Sequence, residues 1–186
     1  MPPEKINEFQ LAAKCRETES GAADELYRRY AARLLALCRR YTSSLEDAED
    51  LMQETLIKTL DKIGSFRYRG EGSLYAWISR IAINLALNEI RKRKRELPTD
   101  SLDPGEDIPD PAADEVAGIP RERLMEMISR LPQARKAVFN LYCIDGYSHK
   151  EIGKMLGISE KGSASALAKA KDQLKRDIYR YLKEEQ

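Results

Sequence analysis

The chain has 186 residues, 42% of them hydrophobic and 34% charged, and its 32 Lys and Arg against 31 Asp and Glu leave a net charge of +1. That length allows one or two small domains, and no run of about 18 apolar residues offers a transmembrane helix. The opening Met1-Pro2-Pro3-Glu4-Lys5-Ile6 carries no signal-peptide apolar segment, the cysteines are three and widely spaced, and His149 is the only histidine, so a cytoplasmic chain without membrane insertion, metal site or cofactor is expected.

Residues 4–17 read as a short amphipathic helix with Ile6, Phe9 and Cys15 on apolar positions, broken by Ser20-Gly21. A stronger helix spans Ala22 to Tyr41, where Leu26, Tyr30, Leu34, Leu37 and Tyr41 recur at steps of three and four. Ser44 with Asp47 is a capping-box pattern for a third helix, from Leu45 to about Lys62, with Leu51, Thr55, Ile57 and Leu60 as its apolar positions. It opens with Glu46, Asp47, Glu49 and Asp50. Four acids suit the positive end of a helix dipole; they equally suit an acidic docking surface.

Residues 64–73 form a loop with three glycines, Phe66, Tyr68, Arg67 and Arg69. Ser73 is expected to cap a long helix through about Arg95 that carries Leu74, Trp77, Ile78, Ile81, Leu85 and Ile90. Asn84 and Asn88 are four apart and share a face of it. Its end, Arg91-Lys92-Arg93-Lys94-Arg95, is a basic tail. Such a tail is usually a solvated charge run. Beside an aromatic, glycine-rich loop and an asparagine pair it fits single-strand binding, where bases stack on aromatics and cations hold phosphates.

Residues 96–120 contain eight acids, no Lys or Arg, and five prolines, which reads as a flexible linker without regular structure. It joins two basic lobes: 1–95, with 18 basic and 14 acidic residues, and 121–186, with 14 and nine. The second lobe begins near Arg121 with Leu124, Met127, Ile128 and Leu131. Pro132 suits the start of a helix carrying Val138, Phe139, Leu141 and Tyr142, which Gly146 ends. Cys38 and Cys143 lie among apolar residues and read as small core fillers.

From Ser148 to Lys175 the pattern is that of a helix-turn-helix. Ser148 and Glu151 form a capping box, and Ile152, Met155 and Leu156 give one apolar stripe. Gly153 is small enough for a second helix to cross closely, and Gly157 can take positive φ where the first helix stops. Ile158 is expected to plug the corner, and Ser159 to cap a helix carrying Leu167, Ala170 and Leu174. The second helix of such a motif enters a DNA major groove; an ordinary helical corner is the plainer alternative. The expected fold class is all-α, two small helical domains at 1–95 and 121–186.

Four blocks, in this order and spacing, resemble the extracytoplasmic-function (ECF, group 4) sigma factors of bacterial RNA polymerase over nearly the full length. They are Asp47 to Thr55; Phe66 to Gly70 with Leu74 to Asn84; Leu131 to Leu141; and Gly146 to Ile152. The resemblance implies that Asp47, Glu49, Asp50, Gln53 and Glu54 meet a basic surface on the β′ clamp helices, with Leu51 supplying apolar contact. It implies that Phe66, Arg67, Tyr68, Arg69, Tyr75, Trp77, Arg80, Asn84, Asn88 and Arg91 serve the −10 element, Asn84 as base reader and Trp77 mainly as packing. A mobile Phe66–Ser73 loop would enclose a flipped base, recovering by stacking part of what unstacking costs. Ser148, His149, Lys150, Lys161, Ser165, Lys169 and Lys171 would face the −35 element, with His149 at the surface or near phosphate.

The partners so implied are core RNA polymerase, through its β′ clamp helices and β flap, promoter DNA, and an anti-sigma factor that occludes the polymerase-facing surfaces. The acidic linker would thread toward the active-site cleft, or act only as a tether. No chemistry is expected of the chain itself: it has no phosphate-cradling glycine motif and no nucleophile–base pair. The alternative is a helix-turn-helix regulator that works without polymerase.

The second helix departs from the family pattern. Ala164 and Ala166 stand where basic or polar residues are usual, Ala168 where a larger side chain often meets DNA, and Ser163 at an inward position usually apolar. Weak −35 binding, or reading through shape and backbone, is the expectation.

Overall fold

The structure, a computed structural model, describes residues 6–92 and 109–184. Among them every regular element is helical. The chain divides into two compact units, Met1–Ala86 and Leu87–Gln186. Arg93 to Arg95 of the basic tail and residues 96–108 of the expected linker lie outside the described residues.

The first unit opens with α1 (Glu8–Arg16), capped by a box in which Asn7 and Gln10 bond reciprocally. Its inward face is the expected one only in part. Leu11, Ala12 and Cys15 are buried, and so is Glu8, which is only 4% exposed, whereas Phe9 is 57% exposed. The phase is set by the Glu8 carboxylate. It accepts the Tyr30 hydroxyl at 2.8 Å and the Leu74 amide at 2.9 Å, so each carboxyl oxygen has a donor inside. Burial and the Glu8 charge push the Tyr30 phenol well above its ordinary value.

Helix α2 (Ala22–Arg39) buries Leu26, Tyr30, Leu34 and Leu37 as expected, with Tyr41 buried just beyond it. Helix α3 (Leu45–Lys62) has the expected bounds, and Ser44 accepts the Asp47 amide at 3.0 Å. It buries Ala48, Leu51, Met52, Thr55, Leu56 and Thr59. The hydroxyls of Thr55 and Thr59 donate to the Leu51 and Thr55 carbonyls, which lets two polar side chains sit inside. Their presence there turns Ile57 outward, 61% exposed, contrary to expectation. A 3₁₀ turn (Ile63–Ser65) then leads to the loop and to α4 (Ser73–Lys92). Ser73 is the first helical residue, not the cap: its Oγ accepts the Arg69 amide, the Gly72 carbonyl accepts the Ala76 amide, and Glu8 from α1 caps Leu74.

In the second unit the stretch expected to be structureless contains α5 (Ala113–Ala117). Its Val116 packs against the cluster of Ile119, Met127 and Ile178, which Leu124, Leu174, Tyr181 and Leu182 flank. Two apolar residues near the end of an acidic segment suffice to anchor it. Upstream, Asp110 pairs with Lys175 at 2.9 Å, and hydrogen bonding to that ammonium holds its carboxyl below the usual range.

Helices α6 (Arg121–Ser129), α7 (Gln133–Phe139), α8 (His149–Leu156) and α9 (Glu160–Glu184) follow. Leu131, Ala134, Ala137, Val138, Leu141, Ile152, Leu156, Ala166, Leu167 and Ala170 are buried. Between α7 and α8 lies a π-helical turn, Asn140–Ile144, with the Asp145 amide donating five residues back to Asn140. The wide turn keeps Asn140 and Leu141 inside and puts Tyr142, Cys143 and Ile144 outside. Cys143 is therefore exposed, not a core filler. Cys38 is the core filler expected, and burial pushes its thiol up to about 12.

Candidate polymerase and nucleic-acid interface

The helix-turn-helix is built by local chemistry. The Glu151 carboxylate accepts the Ser148 amide at 2.9 Å and its hydroxyl at 2.7 Å, while Ser148 Oγ accepts the Glu151 amide at 3.3 Å. Gly157 has φ of 72°, and the amides of Gly157 and Ile158 both donate to the Gly153 carbonyl. A Cβ at Gly153 would lie 2.8 Å from the Ile158 carbonyl oxygen. The close approach at Gly153 is thus made by the turn and the very start of α9, not by a crossing helix. Ile158 is half-buried, so it closes the corner only in part. Ser159 Oγ accepts the Gly162 amide at 2.8 Å and starts α9.

Along α9, Gly162, Ser163, Ala166 and Leu167 face inward. Ala166 is therefore a packing residue and not a missing DNA contact. Ser163 is inward as expected, but its hydroxyl is served: His149 Nδ1 lies 3.0 Å away. The His149 ring stacks on Tyr142, centroids 4.5 Å apart. His149 is half-buried, with its ring tied to Ser163 and Tyr142 and the rest open to the surface. Lys161, Ala164, Ala168 and Lys171, at steps of three and four, are all exposed, as are Ser148 and Lys150. Ser165 and Lys169 are half-buried. The outward stripe of α9 thus has a lysine at each end and two alanines between them.

That stripe makes a prediction. Ala164→Lys adds one cation in the middle, so duplex binding should tighten, and the slope of log affinity against log salt should steepen by about 0.9. Fluorescence anisotropy across a salt series checks both; an unchanged slope would remove Ala164 from the DNA-facing side.

In the first unit the loop is arranged differently from the expectation. Phe66 is 3% exposed and packs on Trp77, ring centroids 5.5 Å apart, so it is a core residue and cannot stack an incoming base. Trp77 is half-buried and packs as expected. Arg67, Tyr68 and Arg69 are exposed. Tyr68 meets Phe9 of α1 edge-on at 5.7 Å, and its hydroxyl reaches Glu71 at 3.4 Å. Glu71 also accepts the Glu8 amide at 3.3 Å. Tyr75 is held against α2: Tyr30 stacks on it at 5.9 Å, the Arg33 guanidinium lies 3.7 Å from its ring centre, and its hydroxyl donates to the Arg33 carbonyl. Arg80, Asn84, Asn88 and Arg91 are exposed on α4, with Asn84 and Asn88 on one face and Arg91 bonded to the Asn88 carbonyl oxygen.

On α3, Asp47, Glu49, Asp50, Gln53 and Glu54 are exposed. Leu51 is 8% exposed and belongs to the core, so it cannot supply the apolar contact assigned to it. Ile57 can: with Asp50, Gln53 and Glu54 it shares one outward face at steps of three and four. Glu54 also pairs with Lys58 at 3.2 Å, and Asp47 accepts the Ser44 hydroxyl. Sequence reasoning missed Ile57, Glu8 and Phe9. The one usable signal was the run of Thr55 and Thr59, whose hydroxyls can bond their own helix and so go inside.

A family model for sigma-70 region 2 matches residues 26–96, and one for sigma-70 region 4 matches residues 121–174. The ECF RNA polymerase sigma factor SigM of Mycobacterium tuberculosis is 32% identical over 156 residues, covering 83% of this chain and 76% of that protein. The ECF RNA polymerase sigma-E factor of Haemophilus influenzae is 25% identical over 186 residues, covering 94% and 97%. The RNA polymerase sigma-H factor of Pseudomonas aeruginosa is 27% identical over 187 residues, covering 94% and 95%. Helix α1 precedes both matched stretches. Among the described residues no helix is long and apolar enough to cross a membrane.

Proposed function

Because the chain belongs to the ECF group of the sigma-70 family, we propose that its acidic α3 face docks core RNA polymerase while α4 and α9 address the two promoter elements. As a sigma factor it directs transcription initiation and leaves phosphoryl transfer to the polymerase. The observation that carries the reading is the union, in one chain, of a region 2 match over α2 to α4 and a region 4 match over the helix-turn-helix. A regulator working without polymerase has no use for the first, and is not favoured.

The roles divide by chemistry. Asp47, Glu49, Asp50, Gln53 and Glu54 offer charge and hydrogen bonds to a basic surface on the polymerase, with Ile57 in place of Leu51 as the apolar contact. Arg67, Tyr68, Arg69, Arg80, Asn84, Asn88 and Arg91 serve the opened −10 strand, with bases stacking on the tyrosine, the amides reading base edges and the arginines holding phosphates. Ser148, Lys150, Lys161, Ser165, Lys169 and Lys171 meet −35 duplex, mainly through its backbone. The protein works in the cytoplasm, where its polymerase is, and an anti-sigma partner restrains it by covering these surfaces.

Run-off transcription with purified core polymerase tests the whole reading: promoter-dependent transcripts should appear only when the chain is added. Asp50→Arg with Glu54→Arg tests the docking face. Charge reversal against a basic partner should lower core affinity tenfold or more, with circular dichroism unchanged. Near-normal affinity would remove the docking assignment.

A further inference from the structure

Phe66 and Tyr68 were the two aromatics offered by the loop, and Phe66 is spent on the core. The structure supplies another ring in its place. Phe9, on α1, stands beside Tyr68 with centroids 5.7 Å apart and an interplanar angle of 63°. Phe9 is 57% exposed, so its ring is open to a partner. Its position is fixed by two further bonds that hold α1 against this loop and by a third within the loop itself. The Glu8 carboxylate caps Leu74 where the loop enters α4, the Glu8 amide donates to Glu71, and Glu71 accepts the Tyr68 hydroxyl. Arg67 and Arg69, one on each side of Tyr68 in the chain, are exposed cations.

We propose that Phe9 is a second stacking residue of the strand-binding surface, so that an unpaired DNA base lies against the Phe9–Tyr68 pair while the neighbouring arginines hold its phosphates. The choice of single-stranded DNA over another occupant rests on continuity. The ring adjoins the loop proposed to capture the −10 strand, where the exposed Arg67 and Arg69 stand in the chain beside Tyr68, and the one acid of that loop, Glu71, is engaged by the Tyr68 hydroxyl and the Glu8 amide. Aromatic faces accept any base, so Phe9 adds affinity with little sequence preference. The inference rests on the reading of the loop as a strand-binding element.

The test uses holoenzyme assembled from the full chain and core polymerase, with a fluorescein-labelled single strand taken from a promoter that the holoenzyme transcribes. Phe9→Ala should weaken strand binding roughly tenfold, Phe9→Leu by a similar factor, and Phe9→Trp little or not at all. The salt slope should stay as in the parent, because no charge is removed. Tyr68→Ala is run beside them. If Tyr68→Ala weakens binding and Phe9→Ala does not, Phe9 is overturned and the loop reading stands. If neither does, both fall. If Phe9→Leu binds like the parent, apolar cover and not stacking is at work, and the proposal fails. If Phe9→Ala lowers core affinity instead, the ring meets protein, which also overturns it.

Discussion

Glu8→Ala should destabilise the first unit by about 3 kcal/mol. The loss of the carboxylate leaves two buried donors, the Tyr30 hydroxyl and the Leu74 amide, without their acceptor. Each such group costs about 1–3 kcal/mol. The small cavity adds to this, and the start of α4 loses its cap. Glu8→Gln should cost less, because one amide oxygen still accepts while the NH₂ group faces the other donor. Tyr30→Phe removes one of the two stranded donors in advance. Glu8→Ala should therefore cost less in the Tyr30→Phe background than in the parent, a coupling that a double-mutant cycle measures. Trp77, the one tryptophan of the chain, lies in this unit, so urea unfolding followed by its fluorescence reads the effect directly. A loss below about 1 kcal/mol would mean that water replaces the carboxylate without penalty.

Gly153→Ala is the second large effect, and it should act on the other unit. The added methyl would sit 2.8 Å from the Ile158 carbonyl oxygen. That oxygen belongs to backbone, and the Ile158 amide is itself bonded to the Gly153 carbonyl, so the turn cannot retreat without breaking its own closure. Overpacking of this kind costs about 1–3 kcal/mol. The displaced turn also shifts the start of α9, so duplex binding should fall more than stability does. Thermal unfolding and anisotropy on duplex DNA measure the two separately. Core affinity, assigned to α3, should not change. Parent-like duplex binding by Gly153→Ala would show that the turn tolerates the methyl.

What could be read in the sequence was what short range decides. The Ser148–Glu151 box, the positive φ of Gly157, the Ser44 and Ser159 caps and the bounds of α3 depend on residues within four positions of one another. Each came out as the pattern implied. The facing of individual residues came out only in part. Periodicity marks a stripe but tolerates a shift of one residue, and partners far along the chain then choose. Glu8 goes in because Tyr30 and Leu74 wait for it, and Phe9 accordingly goes out. Leu51 and Thr55 go in as the stripe implies, so Leu51 is not free for a partner, while Ile57 goes out where Thr55 and Thr59, bonding their own helix, take inner positions on α3. Cys143 goes out because α7 widens into a π turn, a register change that no composition signal announces. Ala166, judged against a family pattern as a lost contact, is simply a small core residue. Among the candidate site residues, the exposure expected of Arg67, Tyr68 and Arg69 in the loop and of Arg80, Asn84 and Asn88 on α4 is met, whereas Phe66 goes into the core against Trp77.

The capping of α4 by Glu8 bears on how the protein is made. Acceptor and donor are 66 positions apart, with the acceptor first. As the chain leaves the ribosome, α1 emerges well before α4, so its buried carboxylate can meet Tyr30 early but lacks its second partner until α4 has begun. Domains fold as units during synthesis, N-terminal first. Here α1 is fully locked only once α4 has begun, and the bonds that lock it also hold the loop that precedes α4. A nascent first unit therefore cannot present the finished surface proposed for strand binding before its own fold is complete.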